Sequence, residues 1–160
     1  MITSSIPTFD NPGNDELRAL LARVRRIAVV GLSPKPHRDS NRIGRYLIGH
    51  GYQVFPVYPR EDSILGRPVF RRVQDIPGGV DLVDVFRRSE GLPAVIDDAL
   101  AAGARALWLQ LGCIDEPGAL RAQAAGVTVV MDRCIMVDHA RLLGRGWRAG
   151  QELSGGSTGR

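Results

Sequence analysis

Residues 29–44 read VVGLSPKPHRDSNRIG. An apolar, β-branched run over 27–30 ends on Gly31, and prolines, basic groups and the opening of a helix follow it. A continuous run of this kind fits a strand buried on both faces, as the strands of parallel sheets are. The same pattern recurs over 53–58, 82–86, 106–109 and 127–131. Helical periodicity fills 41–49, 92–102 and 117–125, and returns over 133–143 after the last run. Strands alternating with helices predict an α/β, Rossmann-like fold. We expect a doubly wound parallel sheet of five main strands, in the order 3-2-1-4-5, with helices on both faces.

Working outward, residues 60–79 carry glycine and proline punctuation around little helical pattern, so an irregular excursion is expected between the second and third strands. Ahead of the first strand, Leu17, Leu20, Leu21 and Val24 share one face of an amphipathic helix over 14–24, with Asn14 as its expected cap. No element of the sequence pattern is assigned to cover that face, which makes a homodimer a candidate arrangement. After Leu143 the chain is rich in Gly, Ser and Arg and has little to bury, so residues 144–160 read as a mobile tail. The expected organisation is an N-terminal segment and helix over 1–26, a nucleotide-binding domain over 27–143, and that tail.

A chain of 160 residues with 44% hydrophobic content is long enough for one buried core. Its net charge of +4 points to an anionic partner. The basic residues are scattered and form no dense run, which argues against nucleic acid and leaves a polyphosphate ligand as the better fit. The N-terminus lacks the basic and apolar regions of a secretion signal, and no apolar stretch is long enough to span a bilayer. A soluble, cytoplasmic protein with no membrane partner is expected. Cys113 and Cys134 show no metal-ligand spacing, so neither a disulfide framework nor a zinc or other metal site is predicted.

Ligands of open parallel sheets collect beyond the carboxyl ends of the strands, beside the first β-α turn. In that turn Gly31 permits close backbone approach, Ser33 offers a hydroxyl, and Ser40 is expected to cap a helix starting near Asn41. The free N–H groups of that helix, with Lys35, His37, Arg38 and Arg42, outline a phosphate cradle. Neither G-x-x-x-x-G-K-[ST] nor G-x-G-x-x-G is present. The second strand ends Val57, Tyr58, Pro59, Arg60, where NAD-binding proteins usually carry an acid for the ribose diol. A basic residue there suits a ribose phosphate, which both coenzyme A and NADP carry. Lys35 is the only lysine beside twenty arginines, and its place in the loop lends modest support. Cys134 and His139 lie five apart on a predicted helix, hence on different faces, which argues against a thiol activated by that histidine.

Taken together, VVGLSPKPHRDSNRIG, VFPVYPR with the following ILGRPVF, VDVFRRSE, WLQLGCIDE and VVMDRCIMVDH resemble the small single-domain CoA-binding proteins. That family is related to the CoA-binding domain of the succinyl-CoA synthetase α subunit, and the likeness spans 27–143. It implies a Rossmann-like domain with the first glycine loop on the pyrophosphate, the second-strand end against adenosine and the third-strand end along the pantetheine. The binding positions it implies are Gly31, Ser33, Lys35, Arg38, Ser40, Val57, Tyr58, Pro59, Phe86, Arg87 and Arg88. Cys113 stands where an aliphatic residue is expected. The synthetase reaction needs a phosphohistidine from a second domain and a partner subunit, so the resemblance implies non-catalytic binding of free CoA or an acyl-CoA, alone or beside a larger enzyme. The alternative is an NAD(P)-binding oxidoreductase fragment or redox-sensing regulator.

Overall fold

In the computed structural model, which describes residues 7–153, each long apolar run becomes a strand. The chain runs α1 (Asn14–Arg23), β1 (Arg26–Val30), α2 (Asp39–Gly49), β2 (Gln53–Val57), β3 (Ser63–Ile64), β4 (Arg67–Pro68), β5 (Leu82–Val85), α3 (Leu92–Ala101), β6 (Ala106–Leu109), α4 (Glu116–Ala124), β7 (Thr128–Met131) and α5 (Ile135–Leu143). Side chains alternate across the parallel sheet, as the pleat requires. Ala28, Val30, Val83, Val85, Leu107 and Leu109 pack with α3 and α4, whereas Ile27, Val29, Leu82, Ala106 and Trp108 pack with α1, α2 and α5. Two cores on opposite faces make the expected α/β architecture.

The strand order corrects the expectation. It is β2-β1-β5-β6-β7, or 2-1-3-4-5 when the strands of this sheet alone are counted, and not 3-2-1-4-5. The segment before β5 is bonded to the start of β1. Asp81 Oδ2 accepts the N–H groups of Arg25 and Arg26 at 2.8 and 2.9 Å, and Arg26 Nε donates to the Gly79 carbonyl at 2.8 Å. These bonds fix the entry of β5 beside the start of β1, and the strand pairs there in parallel register. The crevice at the carboxyl edge therefore opens between β1 and β5.

The excursion between β2 and β5 forms a β3-β4 hairpin, turned by Leu65 and Gly66 at φ 54° and 74°, and a 3-10 turn over Val73–Asp75. Positive φ at both central residues gives a two-residue loop the twist of its flanking strands. Phe70 then pairs alongside the end of β2: its N–H donates to Pro56 O at 2.9 Å, and Tyr58 N–H donates to Phe70 O at 3.0 Å.

Both ends of the chain depart from expectation. Gly13, not Asn14, precedes the first turn of α1, and Asn14 Oδ1 instead accepts from Arg141 Nη1 at 3.0 Å. Leu17, Leu20 and Leu21 are buried in the core shared with α5, so the face that suggested a homodimer is already covered within the chain. The tail also docks for as far as it is described. Trp147 is only 7% exposed and packs into the same core, and Ala149 N–H donates to His50 O at 2.8 Å. One indole among many small and polar residues supplies the burial that composition hides; residues 154–160 of that segment lie outside the described residues. No helix among the described residues is long and apolar enough to cross a membrane.

Candidate functional site

The first β-α loop is strapped between two strands. Gly31 adopts φ 84°, a region that favours glycine, and donates its N–H to Val57 O of β2 at 2.8 Å. On the other side Phe86 N–H donates to Val30 O at 2.9 Å, extending the β1-β5 ladder past the end of β5. The loop then folds on its own polar side chains. Ser33 N–H donates to Ser40 Oγ at 2.9 Å, Lys35 N–H to Ser33 Oγ at 3.1 Å, and Asn41 Nδ2 to Ser33 O at 2.9 Å.

α2 begins at Asp39, two residues earlier than the sequence suggests, and Ser40 does not cap it. Its hydroxyl is committed to Ser33, so it shapes the loop from inside the first turn. The earliest backbone bond of the helix runs from Arg42 N–H to Arg38 O at 3.1 Å. The amides of Asp39, Ser40 and Asn41 therefore have no intrahelical acceptor, and Asp39 and Ser40 line the space beyond the sheet edge. Such an end carries partial positive charge and suits an anion.

That space is an open cleft of about 900 Å3. Gly31, Ser33, Lys35, Arg38 and Ser40 form one wall, Tyr58 and Pro59 a second, and Phe86, Arg87 and Arg88 a third. Of the binding positions that the resemblance implies, all line it except Val57, which is 4% exposed and serves through the carbonyl that receives Gly31 N–H. His37 of the expected phosphate cradle also lines it, whereas Arg42 does not and instead pairs with Asp39 at 3.0 Å; the cleft adds Asp39, Arg60, Glu90 and Gly91. Arg60 carried a signal in the sequence, as a cation at the end of the second strand. Glu90 and Gly91 lie in the 3-10 turn Ser89–Gly91, which periodicity does not reveal. Lys35, Arg38, Arg60, Arg87 and Arg88 outnumber the carboxylates of Asp39 and Glu90 along the walls, so the cleft favours a multiply charged anion.

Groups behind the walls hold them in place. A single Arg71 nitrogen, Nη1, donates to Tyr58 O, Arg60 O and Glu61 O at 3.2, 3.2 and 2.9 Å, which fixes the second wall where Glu61 turns through φ 73°. Cys113 Sγ donates to Arg87 O at 3.1 Å, and burial pushes its thiol pKa up, so it remains the protonated donor this bond needs. Ser89 Oγ donates to Gly112 O at 3.3 Å and accepts Ile114 N–H at 3.1 Å, tying the third wall to the loop after β6. Cys134 flanks the start of α5, while His139 is buried farther along that helix and bonds Tyr46 Oη through Nδ1 at 2.8 Å. Both cysteines are free thiols.

Residues 25–140 match the model of a family described as a CoA binding domain. The chain belongs to this CoA-binding family. It is 41% identical over 132 residues to the uncharacterized protein YneT of Bacillus subtilis (strain 168), a match covering 82% of this chain and 98% of that one. A hypothetical protein from Pyrococcus horikoshii OT3 superposes with a TM-score of 0.82 at 36% identity, over 89% of this chain and all of its own length. A dinucleotide forming acetyl-coenzyme A synthetase 1 from Ca. Korarchaeum cryptofilum gives a TM-score of 0.61 at 27% identity. That match covers 68% of this chain and 26% of the synthetase. Family membership and the parallel sheet agree with the resemblance read from the sequence motifs.

Proposed function

We propose that the protein binds coenzyme A or an acyl-CoA in the cleft between β1 and β5, without catalysing a reaction of its own. The observation that carries this reading is the unbonded opening turn of α2, facing a cleft whose walls present Lys35, Arg38, Arg60, Arg87 and Arg88, in a chain of the CoA-binding family. The diphosphate of CoA meets the amides of Asp39 and Ser40 together with Lys35 and Arg38, a charge-assisted arrangement. The 3′-phosphoadenosine lies against Tyr58, Pro59 and Arg60, and the pantetheine runs along Phe86, Arg87 and Arg88. The hydroxyls of Ser33 and Ser40 are engaged by backbone amides within the loop, which supports shaping and binding rather than nucleophilic chemistry. A larger acyl-CoA enzyme is the fitting partner, since the solved synthetase places a similar unit within a longer chain.

Thermal-shift titration tests the assignment. At about one hundred times Kd, a ligand bound only by the folded state adds about 2.7 kcal/mol, which for a domain of this size raises Tm by roughly 5–10 °C. CoA is expected to produce that shift. NADPH producing it while CoA does not would replace this reading with the dinucleotide one. Within the cleft, Lys35→Ala and Arg38→Ala are each expected to weaken CoA by about 1–2 kcal/mol, measured by calorimetry. Comparison with dephospho-CoA then assigns each cation to the diphosphate or to the ribose phosphate.

A further inference from the structure

Four large apolar side chains are exposed among the described residues: Leu111, Ile114, Val137 and Leu153. Three of them belong to the carboxyl edge of the sheet, the edge that carries the cleft. Leu111 and Ile114, 67% and 50% exposed, lie in the loop between β6 and α4, and Val137 lies in the first turn of α5, after β7. None of the three packs into either core, so their bulk does not serve the fold. The exposure of the first two is fixed by the backbone. Cys113 N–H donates to Gln110 O at 2.9 Å and closes a four-residue turn whose third residue, Gly112, has φ 81°, as a type II turn requires. Leu111 occupies the second position of that turn, where proline and polar residues are the usual choice. The turn is then pinned on both sides. Gly112 N–H donates to Asp132 Oδ1 at 2.8 Å, while Ser89 Oγ donates to Gly112 O at 3.3 Å and accepts Ile114 N–H at 3.1 Å. Ser89 lies between Arg88 and Glu90, both of which line the cleft. A single serine side chain thus joins the cleft's third wall to the apolar loop.

We infer that Leu111 and Ile114 form a landing for the acyl chain of an acyl-CoA, so that the ligand class is a CoA thioester of a hydrocarbon chain and not of a short polar acid. This rests on the CoA reading given above, in which the pantetheine runs along Phe86, Arg87 and Arg88. The diphosphate stays with the cations at the start of α2, and the thioester end leaves the third wall beside Ser89, where the apolar loop begins. Hydrocarbon laid across the two side chains removes apolar surface from water on both sides of the contact. The size of the patch selects this occupant over a protein. A stable protein complex buries roughly 800 Å2 on each partner, far more than two or three side chains supply, whereas a chain of several methylenes matches them.

Calorimetry on the intact protein with CoA, acetyl-CoA and octanoyl-CoA tests the inference. Octanoyl-CoA is expected to bind about tenfold more tightly than acetyl-CoA, because its additional methylenes leave water on the two side chains. The double variant Leu111→Ser, Ile114→Ser is expected to bring that ratio to about one, and to keep a Tm close to the wild type because neither side chain packs in a core. Methyl NMR of the wild type is expected to show the Leu111 and Ile114 signals shifted by octanoyl-CoA relative to acetyl-CoA. Equal wild-type affinities for the two thioesters, or a preference that survives the double substitution, overturns this inference and leaves CoA binding in place. Failure of all three ligands to bind overturns the CoA reading, and this inference with it.

Discussion

Gly31→Val is expected to abolish the CoA-induced rise in Tm and to lower stability by about 2–5 kcal/mol. Two separate costs make up the loss of stability. Gly31 sits at φ 84°, where an L side chain costs roughly 1–2 kcal/mol. A Cβ placed there would also overlap the carbonyl oxygen of Phe86 and come within 3.2 Å of its carbonyl carbon, a rigid backbone neighbour held by its N–H to Val30 O. Overpacking of this kind typically costs 1–3 kcal/mol more. The clash falls on the junction of β1 and β5, so relief requires parting the two strand ends that frame the cleft and moving Phe86, Arg87 and Arg88 away from Lys35 and Arg38. Gly31→Ala carries the same Cβ and is expected to show the same defect in milder form. Chemical denaturation measures the first effect and thermal-shift titration the second. A folded Gly31→Val protein with wild-type CoA affinity would separate this loop from the ligand altogether.

That clash also marks what the sequence could and could not convey. The run ending on Gly31 announces a strand, a tight turn and a helix through local chemistry, and most of the cleft's wall residues follow from strand ends that periodicity locates well. The order of those strands rests on long-range pairing, such as Asp81 accepting the amides of Arg25 and Arg26 across more than fifty residues, which no local pattern encodes. With β5 beside β1, the partner of Gly31 is Phe86 and not the loop after the fourth strand. The misplaced details are of the same kind. Ser40 reads as a helix cap by residue type, yet its hydroxyl is taken by Ser33; the face of α1 looks unpartnered until Arg18 Nε donates to Leu142 O at 3.1 Å from the far end of the chain. Trp147 reverses the reading of a segment whose composition otherwise suggests no core contact.

Asp84 supplies the second large effect. It lies in β5 between Val29 and Trp108, fully buried, with Gln110 Nε2 donating to Oδ1 at 2.6 Å and no partner for Oδ2 among the described residues. Burial raises its pKa to about 7, against the opposing pull of the Gln110 bond. The unfolded chain gives up this proton near the ordinary carboxyl value, whereas the folded protein keeps it until about pH 7, so the folded state binds more protons between those limits. Stability from this group therefore falls as pH rises, by on the order of 3 kcal/mol between pH 5 and pH 8. His139 works the other way. Its pKa is held down to about 4, so its contribution is lost as pH falls from the ordinary histidine value toward 4, and the two buried groups partly mask one another in the wild-type profile. Asp84→Asn keeps the shape and the acceptor for Gln110 while removing the titration. Urea denaturation at pH 5 and pH 8 is expected to show the Asn variant gaining on the wild type by that amount at the higher pH, with the His139 contribution common to both. Parallel pH profiles for the two proteins would mean that the buried carboxyl ionises as easily in the fold as outside it.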